Sequence, residues 1–482
     1  MVFSSPTFLF LFLPLTLLGY LAAPARLRNG WLLLASMLFY FWGAGGEIGV
    51  LLYVGLVSFF GALIGWRAGR RAQAARESGA PPAVPRAAIV ALIALLLVPI
   101  FLFKYLPPLT HLADSLGWSD RFGIGPVTWA LPLGISFFTF HAISYVVDTA
   151  RGVIPAERSL RDYLLYLFLF PHQIAGPIVR YSEIVDELKS RRDVRLEMAA
   201  YGVTRFAWGL AKKACVADSA GIVADSAFAA AGHDMSAPTA WLAALAYTVQ
   251  IYFDFSGYSD MAIGLAMLFG FRFPENFNAP YTALGPADFW RRWHITLSRW
   301  FRDYVYIPLG GSRHGIRREY AGLLVTFLLT SLWHGATWPF LVWGGLHSLG
   351  LLVERMTGIR DSKRLKWLRR AVTAVFVVVV WVPFRAETLT QAGQIWRAMV
   401  SGGLGAPPPS VLTALTPVTV AALALGLATF FAPRTRTGFQ LVHGQFQGFR
   451  LRVATVTAPV LLGTAIVGSL WLDFSPFLYF QF

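Results

Sequence analysis

The chain is short of three things. It has a single cysteine, Cys215, which excludes an internal disulfide framework and any CxxC metal site. It has little charge: Asp, Glu, Lys and Arg make up 14% of its residues, where an ordinary soluble domain carries roughly 25%. No basic segment precedes its first apolar stretch, Phe8–Leu21, so that stretch reads as a membrane span and not as a cleaved leader. It also lacks a convincing internal repeat and a GxSxG nucleophile elbow.

Apolar residues are abundant instead. Of 482 residues, 56% are hydrophobic, and long apolar runs recur along the chain. Examples are Phe8–Leu21, Ile89–Phe103, Ala371–Phe384, Leu412–Phe431 and Val453–Leu472. A bilayer crossing needs about 20 such residues, and this yardstick gives roughly 11–13 spans. The expected fold is an all-α, multi-pass membrane bundle. The 41 basic residues outnumber the 25 acidic ones, for a net charge of +16. Their clustering in loops between spans fits the positive-inside rule and calls for no nucleic-acid partner. Arg26 and Arg28, then Arg67, Arg70, Arg71, Arg76 and Arg86, would face the cytoplasm. Between them, Trp31–Phe41 and Ile48–Ile64 would form a hairpin turning at Gly43–Gly46. Ala87–Lys104 would then cross outward, Tyr105–Thr128 would face out, and Trp129–Val147 would return.

Residues 1–482 are read as one domain with N-terminal spans over 1–150, an interrupted core over 160–352 and further spans over 353–482. In the core, polar residues, glycines and prolines break the apolar runs. Such breaks persist at membrane depth only where protein or a watery cavity satisfies the freed backbone. Gly403–Pro409 reads as a loop.

Asp288–Ile307 (DFWRRWHITLSRWFRDYVYI) has the pattern of one amphipathic helix. At about 100° per residue, Phe289, Trp290, Trp293, Leu297, Trp300, Phe301 and Tyr304 share an arc of about 120°. Arg291, Arg292, Arg299 and Arg302 lie opposite, with Arg313, Arg317 and Arg318 just beyond. Such a helix suits a membrane interface as a plain anchor. Its arginine forks equally suit donor phosphates. His294 sits at the edge of the apolar arc, either packed or facing a cavity.

Gly322–Leu352 has no Asp, Glu, Lys or Arg, yet it contains Trp333-His334-Gly335 and His347. Gly335 and Pro339 make an unbroken helix unfavourable, so His334 should sit where a helix ends inside the membrane. An ionisable group at that depth is costly and marks function by default. A neutral imidazole there can take the proton of an attacking hydroxyl. Without a supporting nucleophile, direct transfer from a thioester fits better than an acyl-enzyme. His347 reads as a hydrogen-bonded packing residue. Elsewhere His172 and Gln173 lie beside Pro171, Gly176 and Pro177, as a loop turn or a cavity lining. Asp254 and Asp260, in an aromatic stretch, read first as members of ion pairs with nearby arginines. Asn276 and Asn278 read as turn residues.

These segments together resemble the membrane-bound O-acyltransferase family, most closely its bacterial branch of alginate O-acetylation membrane proteins. The likeness rests on Phe170–Tyr181, Gln250–Gly264, Phe273–Tyr281, Asp288–Gly311, Leu332–His347, Trp381–Leu389 and Tyr479–Phe482. The resemblance implies a bundle with re-entrant and interfacial helices around a tunnel open to both faces of a bacterial inner membrane. It makes His334 the catalytic histidine of a WHG motif and His294 the second characteristic histidine. It places Arg291, Arg292, Arg299 and Arg302 near the donor, and His172, Gln173, Asp254, Asp260 and Trp333 along the tunnel. The implied donor is acetyl-CoA, used as a substrate with no resident cofactor or metal. The implied partners are membrane lipids, a polysaccharide acceptor and a separate periplasmic or membrane-anchored acetyltransferase. Pro383 departs from the family's usual aromatic residue. Peptidoglycan or another envelope glycan is an alternative acceptor. A secondary transporter, whose broken helices look similar, and an export scaffold are the rivals from outside enzymology.

Overall fold

The computed structural model describes residues 2–77, 86–118, 121, 123, 125–190, 196–232, 234–313, 315–358, 365–432 and 449–471. Among these there is no strand. Side chains at Arg70, Arg71, Arg76 and Arg86, and the terminal Tyr479–Phe482, lie outside the described residues. The helices divide between two compact units. Unit 1 is Met1–Ala199 with Leu265–Pro274, and unit 2 is Ala200–Gly264 with Glu275–Phe482.

In unit 1 the helices are α1 (Leu13–Ala22), α2 (Arg28–Ala44), α3 (Ile48–Glu77), α4 (Arg86–Ile100), α5 (Leu106–Ser115), α6 (Ile135–Ala150), α7 (Leu160–Phe168), α8 (Phe170–Gln173) and α9 (Tyr181–Lys189). The expected hairpin is present. Asn29 of α2 bonds to Asp162 and Ser36 bonds to the N–H of Phe170, so α2 runs along α7 in the same direction. Along α3, Gly55 lies against Leu164 and Leu167 while Ser58 bonds to Tyr163, so α3 runs back the other way. The reversal falls at a short 3₁₀ turn, Gly45–Glu47, where Gly45 takes φ 54°, a conformation a side chain disfavours.

The next span is longer than the sequence reading set it. A π turn over Phe101–Tyr105 joins α4 to α5, so the apolar helical stretch runs from Ala87 to Ser115, 29 residues. Pro107 and Pro108 open α5, where the missing N–H of a proline costs least. Helix α6 begins at Ile135 and not at Trp129, because Gly134 at φ 72° starts it. A Cβ on Gly134 would meet the carbonyl oxygen of Gln173 at 2.5 Å.

Between α6 and α7, outside the apolar helices, Glu157 ties a corner together. Burial opposes its charge, but the Tyr181 hydroxyl at 2.5 Å, the N–H groups of Ser159 and Arg158 and the Lys189 ammonium hold its carboxyl below the usual range.

In unit 2 follow α10 (Leu196–Ala211), α11 (Asp218–Ala229), α12 (Ala237–Leu268), α13 (Pro286–Trp290), α14 (Ile295–Phe301), α15 (Ile316–His334), α16 (Trp338–Thr357), α17 (Lys366–Arg385), α18 (Leu389–Ser401), α19 (Pro409–Ala414), α20 (Pro417–Ala428) and α21 (Phe449–Trp471). Helix α10 enters unit 2 at Ala200, and α12 leaves it after Gly264. Small residues set the closest approach. A Cβ on Gly257 would meet the carbonyl oxygen of Gly209 at 2.7 Å, and one on Gly264 would meet that of Gly202 at 2.6 Å. This is how helices pack where lipid removes the hydrophobic drive between them.

Among the described residues, three helical stretches are long and apolar enough to cross a membrane: Arg28–Arg67, which includes the turn between α2 and α3, Ala87–Ser115 and Lys366–Arg385. Phe8–Ala22, Pro417–Phe431 and Ala458–Gly468 are apolar but shorter. Large side chains such as Leu15, Leu18, Val90, Leu95, Leu97 and Val372 are exposed on these helices. An apolar exterior on this scale belongs against lipid.

Candidate active site

The site is built in unit 2 where one helix stops and the next begins. Helix α15 ends at His334, and Gly335 takes the chain away in an extended conformation with its N–H still on the Ser331 carbonyl at 3.0 Å. Helix α16 resumes at Trp338, with Pro339 in its first turn. The sequence reading of a helix end at His334 is what the structure has. The imidazole is 4% exposed. Around it stand Trp333 at 4.4 Å between ring centroids, Phe384 at 4.9 Å, Trp343 at 5.1 Å and Phe340 at 6.0 Å. A low-dielectric cage of this kind strengthens any electrostatic interaction made inside it.

The expected single helix over Asp288–Ile307 is not formed. The chain breaks into α13, a turn over Arg291–His294, α14, and a π turn over Arg302–Tyr306. The break is at His294, which caps α14 with φ 42°, a left-handed conformation unusual for a residue with a Cβ. The residues before it are tied sideways: the N–H of Asn278 bonds to the Arg292 carbonyl, and the N–H of Ile295 to the Asn276 carbonyl, both at 2.9 Å. The arc drawn for a continuous helix therefore does not apply beyond Trp290.

The break turns His294 inward. Its ring is 1% exposed, lies edge-on to Phe255 at 4.7 Å, and approaches Trp333 at 6.3 Å. Trp333 thus stands against both histidines. The Nδ1 atom of His294 is 3.0 Å from the Asn276 side-chain oxygen.

The four arginines separate. Arg292 is committed internally: its Nε donates to Asp288 at 3.0 Å and its Nη1 to the Asn278 carbonyl at 3.1 Å. Arg291 is exposed and 3.5 Å from Asp288. Arg302 is exposed and donates to Asp303 at 2.7 Å. Arg299 is exposed on α14. His347 packs as expected, buried between Phe289 and Phe327 and accepting the Trp290 indole N–H at 3.3 Å.

Asp254 and Asp260 are in ion pairs, but the partners come from the end of α10 and not from the arginines near α14. Arg205 donates to Asp260 at 2.7 Å and grips Glu275 with both ends of its fork. Lys212 reaches Asp260 at 2.6 Å. Lys213 reaches Asp254 at 2.8 Å and Asp218 at 2.6 Å. A π turn over Lys212–Ala217 widens the helix, and the two consecutive lysines reach different carboxylates.

His172 and Gln173 belong to unit 1. His172 is fully buried, stacks on His141 at 4.5 Å and on Phe273 at 5.0 Å, and donates from Nε2 to the Tyr166 carbonyl at 2.7 Å. Gln173 is equally buried, and its amide has no hydrogen-bond partner among the described residues.

Sequence reasoning missed Asn276, Arg205 and His141. Asn276 lies in a run that looks like an ordinary polar turn. Arg205 is separated from its partners by 55 and 70 positions. His141 sits in a helix that mixes serines and threonines with apolar residues, and a histidine in that setting was the available signal.

The family description "membrane-bound O-acyltransferase" matches residues 149–385. The whole chain is 41% identical, over 515 aligned residues covering all of both proteins, to the probable alginate O-acetylase AlgI of Azotobacter vinelandii. It is 40% identical over 504 residues, again covering both in full, to the protein of the same description from Pseudomonas putida. It is 36% identical to a peptidoglycan O-acetyltransferase of Helicobacter pylori, over 83% of this chain and 80% of that one.

Proposed function

Because the chain belongs to the membrane-bound O-acyltransferase family, we propose that it moves an acetyl group from a cytoplasmic thioester donor across the bacterial inner membrane for O-acetylation of an exported polysaccharide of the alginate kind. It is an enzyme of the acyltransferase class. The observation that carries the site assignment is His334, a caged imidazole at a helix end deep in an apolar run.

In this reading His334 takes the proton of an acceptor hydroxyl as the oxygen attacks the thioester carbon. The C–S bond breaks, and the departing thiolate recovers the proton. If the acetyl group pauses on His334, a hydroxyl takes it from the ring in a second step. Acetyl-CoA is the proposed donor. Arg291, Arg299 and Arg302 present exposed guanidinium groups to its phosphates, and Arg292 stiffens the turn they stand on. Trp333 lines the passage between the two histidines. Asp254 and Asp260 are proposed as fixed charges lining the tunnel within unit 2, and His172 and Gln173 as tunnel-lining residues of unit 1. The proposed location is multi-pass, with delivery completed by a periplasmic or membrane-anchored transferase.

The test is His334→Ala. Acetate on the cell's exported glycan should fall by about 10²-fold or more, the scale of a lost general base, while the protein still inserts. Unchanged acetate content would overturn the assignment. A second acceptor is favoured by a specific observation, the 36% identity to a peptidoglycan O-acetyltransferase. Measuring acetate separately on muropeptides and on secreted polysaccharide distinguishes the two.

A further inference from the structure

His294 holds an unfavourable backbone conformation, and such a residue persists only when its surroundings over-determine it. One residue, Asn276, supplies several of those contacts. The Asn276 Oδ1 faces His294 Nδ1 at 3.0 Å and accepts the Thr296 hydroxyl at 2.9 Å, while the Asn276 carbonyl accepts the Ile295 N–H at 2.9 Å. The orientation of the amide is fixed by the Thr296 N–H, a donor only, which points at Oδ1 at 3.4 Å, and at the other end Nδ2 donates to the Ser259 hydroxyl at 3.0 Å. Glu275, the preceding residue, is clamped by Arg205. An amide oxygen only accepts, so the His294 nitrogen facing it carries the hydrogen. The lone pair of the neutral ring is then on Nε2.

We propose that Asn276 is a positioning residue that holds His294 in the Nδ1–H tautomer, making its Nε2 a proton-accepting atom for the transfer. This deepens the acyltransfer reading and rests on it. In the route through acetyl-His334, the acceptor oxygen bonds to the acetyl carbon, the bond from that carbon to the His334 nitrogen breaks, the hydroxyl proton goes to His294 Nε2, and the ring becomes an imidazolium with Nδ1–H still on Asn276. The proton then passes to the thiolate released when His334 was acetylated. A neutral His294 so held accepts a hydrogen bond at Nε2 and cannot donate one there to a thioester carbonyl.

Within two helical turns of Phe255 and Trp333, whose rings stand against His294, the titratable groups are Tyr252, Asp254, Tyr258 and Asp260 of α12 and His334 of α15; Glu275 adjoins Asn276, and Arg299 is on α14. The three carboxylates are held by Arg205, Lys212 or Lys213.

The test uses the full-length protein in nanodiscs with acetyl-CoA and a hydroxyl acceptor. In Asn276→Asp a carboxylate takes the place of the amide oxygen and favours the imidazolium. The low-pH limb of the transfer rate should then move to higher pH by about one unit or more. Thr296→Val, which removes another partner of the same oxygen, should leave the limb in place. Solid-state ¹⁵N spectra of labelled histidine, with the His294 signals assigned by difference against His294→Gln, should show a protonated Nδ1 and a bare Nε2. An unmoved limb in Asn276→Asp, an equal shift in Thr296→Val, or an Nε2–H tautomer overturns the proposal. Should wild type show no transfer, the acyltransfer reading fails while the spectra still decide the tautomer.

Discussion

Ala87–Ser115 and Glu275–His334 solve the same problem in opposite ways. The first is one apolar helical stretch whose large side chains, among them Val90, Leu95, Leu97, Leu109 and Leu112, are exposed. Its backbone continues as helix, and where Pro99 has no N–H to offer the Leu95 carbonyl, the Tyr53 hydroxyl donates to it. The second, up to Tyr306, is cut into short pieces by a left-handed histidine and a π turn, with Asn276, Phe289, Trp293, His294 and Leu297 turned inward and several backbone groups bonded across the chain, before α15 runs as a regular helix to His334. Lipid asks only that a side chain be apolar. A polar group at membrane depth asks for a partner, and the partner comes from a distant part of the sequence. The contrast predicts that substitutions will be costly in the second region and cheap in the first.

The largest effect on stability should come from Arg205→Met. The guanidinium is 5% exposed and holds both Asp260 and Glu275. Removing one partner of a buried ionic cluster costs about 3–5 kcal/mol, because the remaining charges keep their desolvation penalty without the attraction. The midpoint of unfolding in detergent should drop accordingly, and transfer should fall with it because Glu275 adjoins Asn276. A midpoint within about 1 kcal/mol of wild type would mean that Lys212 alone satisfies the carboxylates.

Gly344→Ala should be intermediate. A Cβ there would sit 1.8 Å from the Ser331 hydroxyl oxygen and 3.0 Å from the Phe327 carbonyl oxygen, where α16 crosses α15 one turn before His334. The serine can rotate, but the carbonyl belongs to the backbone. Overpacking of this kind costs about 1–3 kcal/mol. Because the strain falls on the helix that carries His334, the transfer rate should fall by more than the loss of folded protein explains. A rate that merely tracks folded protein would separate the α15–α16 contact from catalysis.

The same contrast explains what was legible. The hairpin at Gly43–Gly46 and the helix end at His334 could be read, because glycine and proline announce their effect on the backbone where they stand. The loop at Gly403–Pro409 was read on the same grounds, and helix α19 starts at its last residue. The extension of α4 through Pro107 and Pro108 was missed because prolines at the start of a helix look, in sequence, like prolines that end one. The break at His294 was missed for a deeper reason. Nothing in WRRWHITL disfavours a helix, and the amphipathic pattern argues for one. The left-handed turn is imposed by Asn276, 18 positions away, whose bonds cannot be seen in local periodicity. The ion pairs of Asp254 and Asp260 were expected, but from neighbouring arginines. Their actual partners, on α10 and the π turn that follows it, are brought in by the Gly202, Gly209, Gly257 and Gly264 contacts. For the site, the histidines were readable from their improbable surroundings, and the residue that orients one of them was not.

The smallest effect should be found at Leu95→Ala on α4. The side chain is 49% exposed, and the hydrogen bond at this residue runs from the Tyr53 hydroxyl to the Leu95 carbonyl, which the substitution keeps. A leucine half-exposed to water in a soluble protein would lose part of its burial energy on truncation. Here the uncovered surface meets lipid tails as apolar as leucine itself, so little transfer free energy changes on unfolding within the membrane. The change should stay within about 0.5 kcal/mol, the range of substitutions that touch no special feature. Measured beside Gly344→Ala, which adds a single carbon, it compares removing three carbons from a lipid-facing helix with adding one at the contact behind the active site. If Leu95→Ala cost as much as Gly344→Ala, that face of α4 would be packed against protein, and the division between lipid-covered and partner-dependent regions would not hold there.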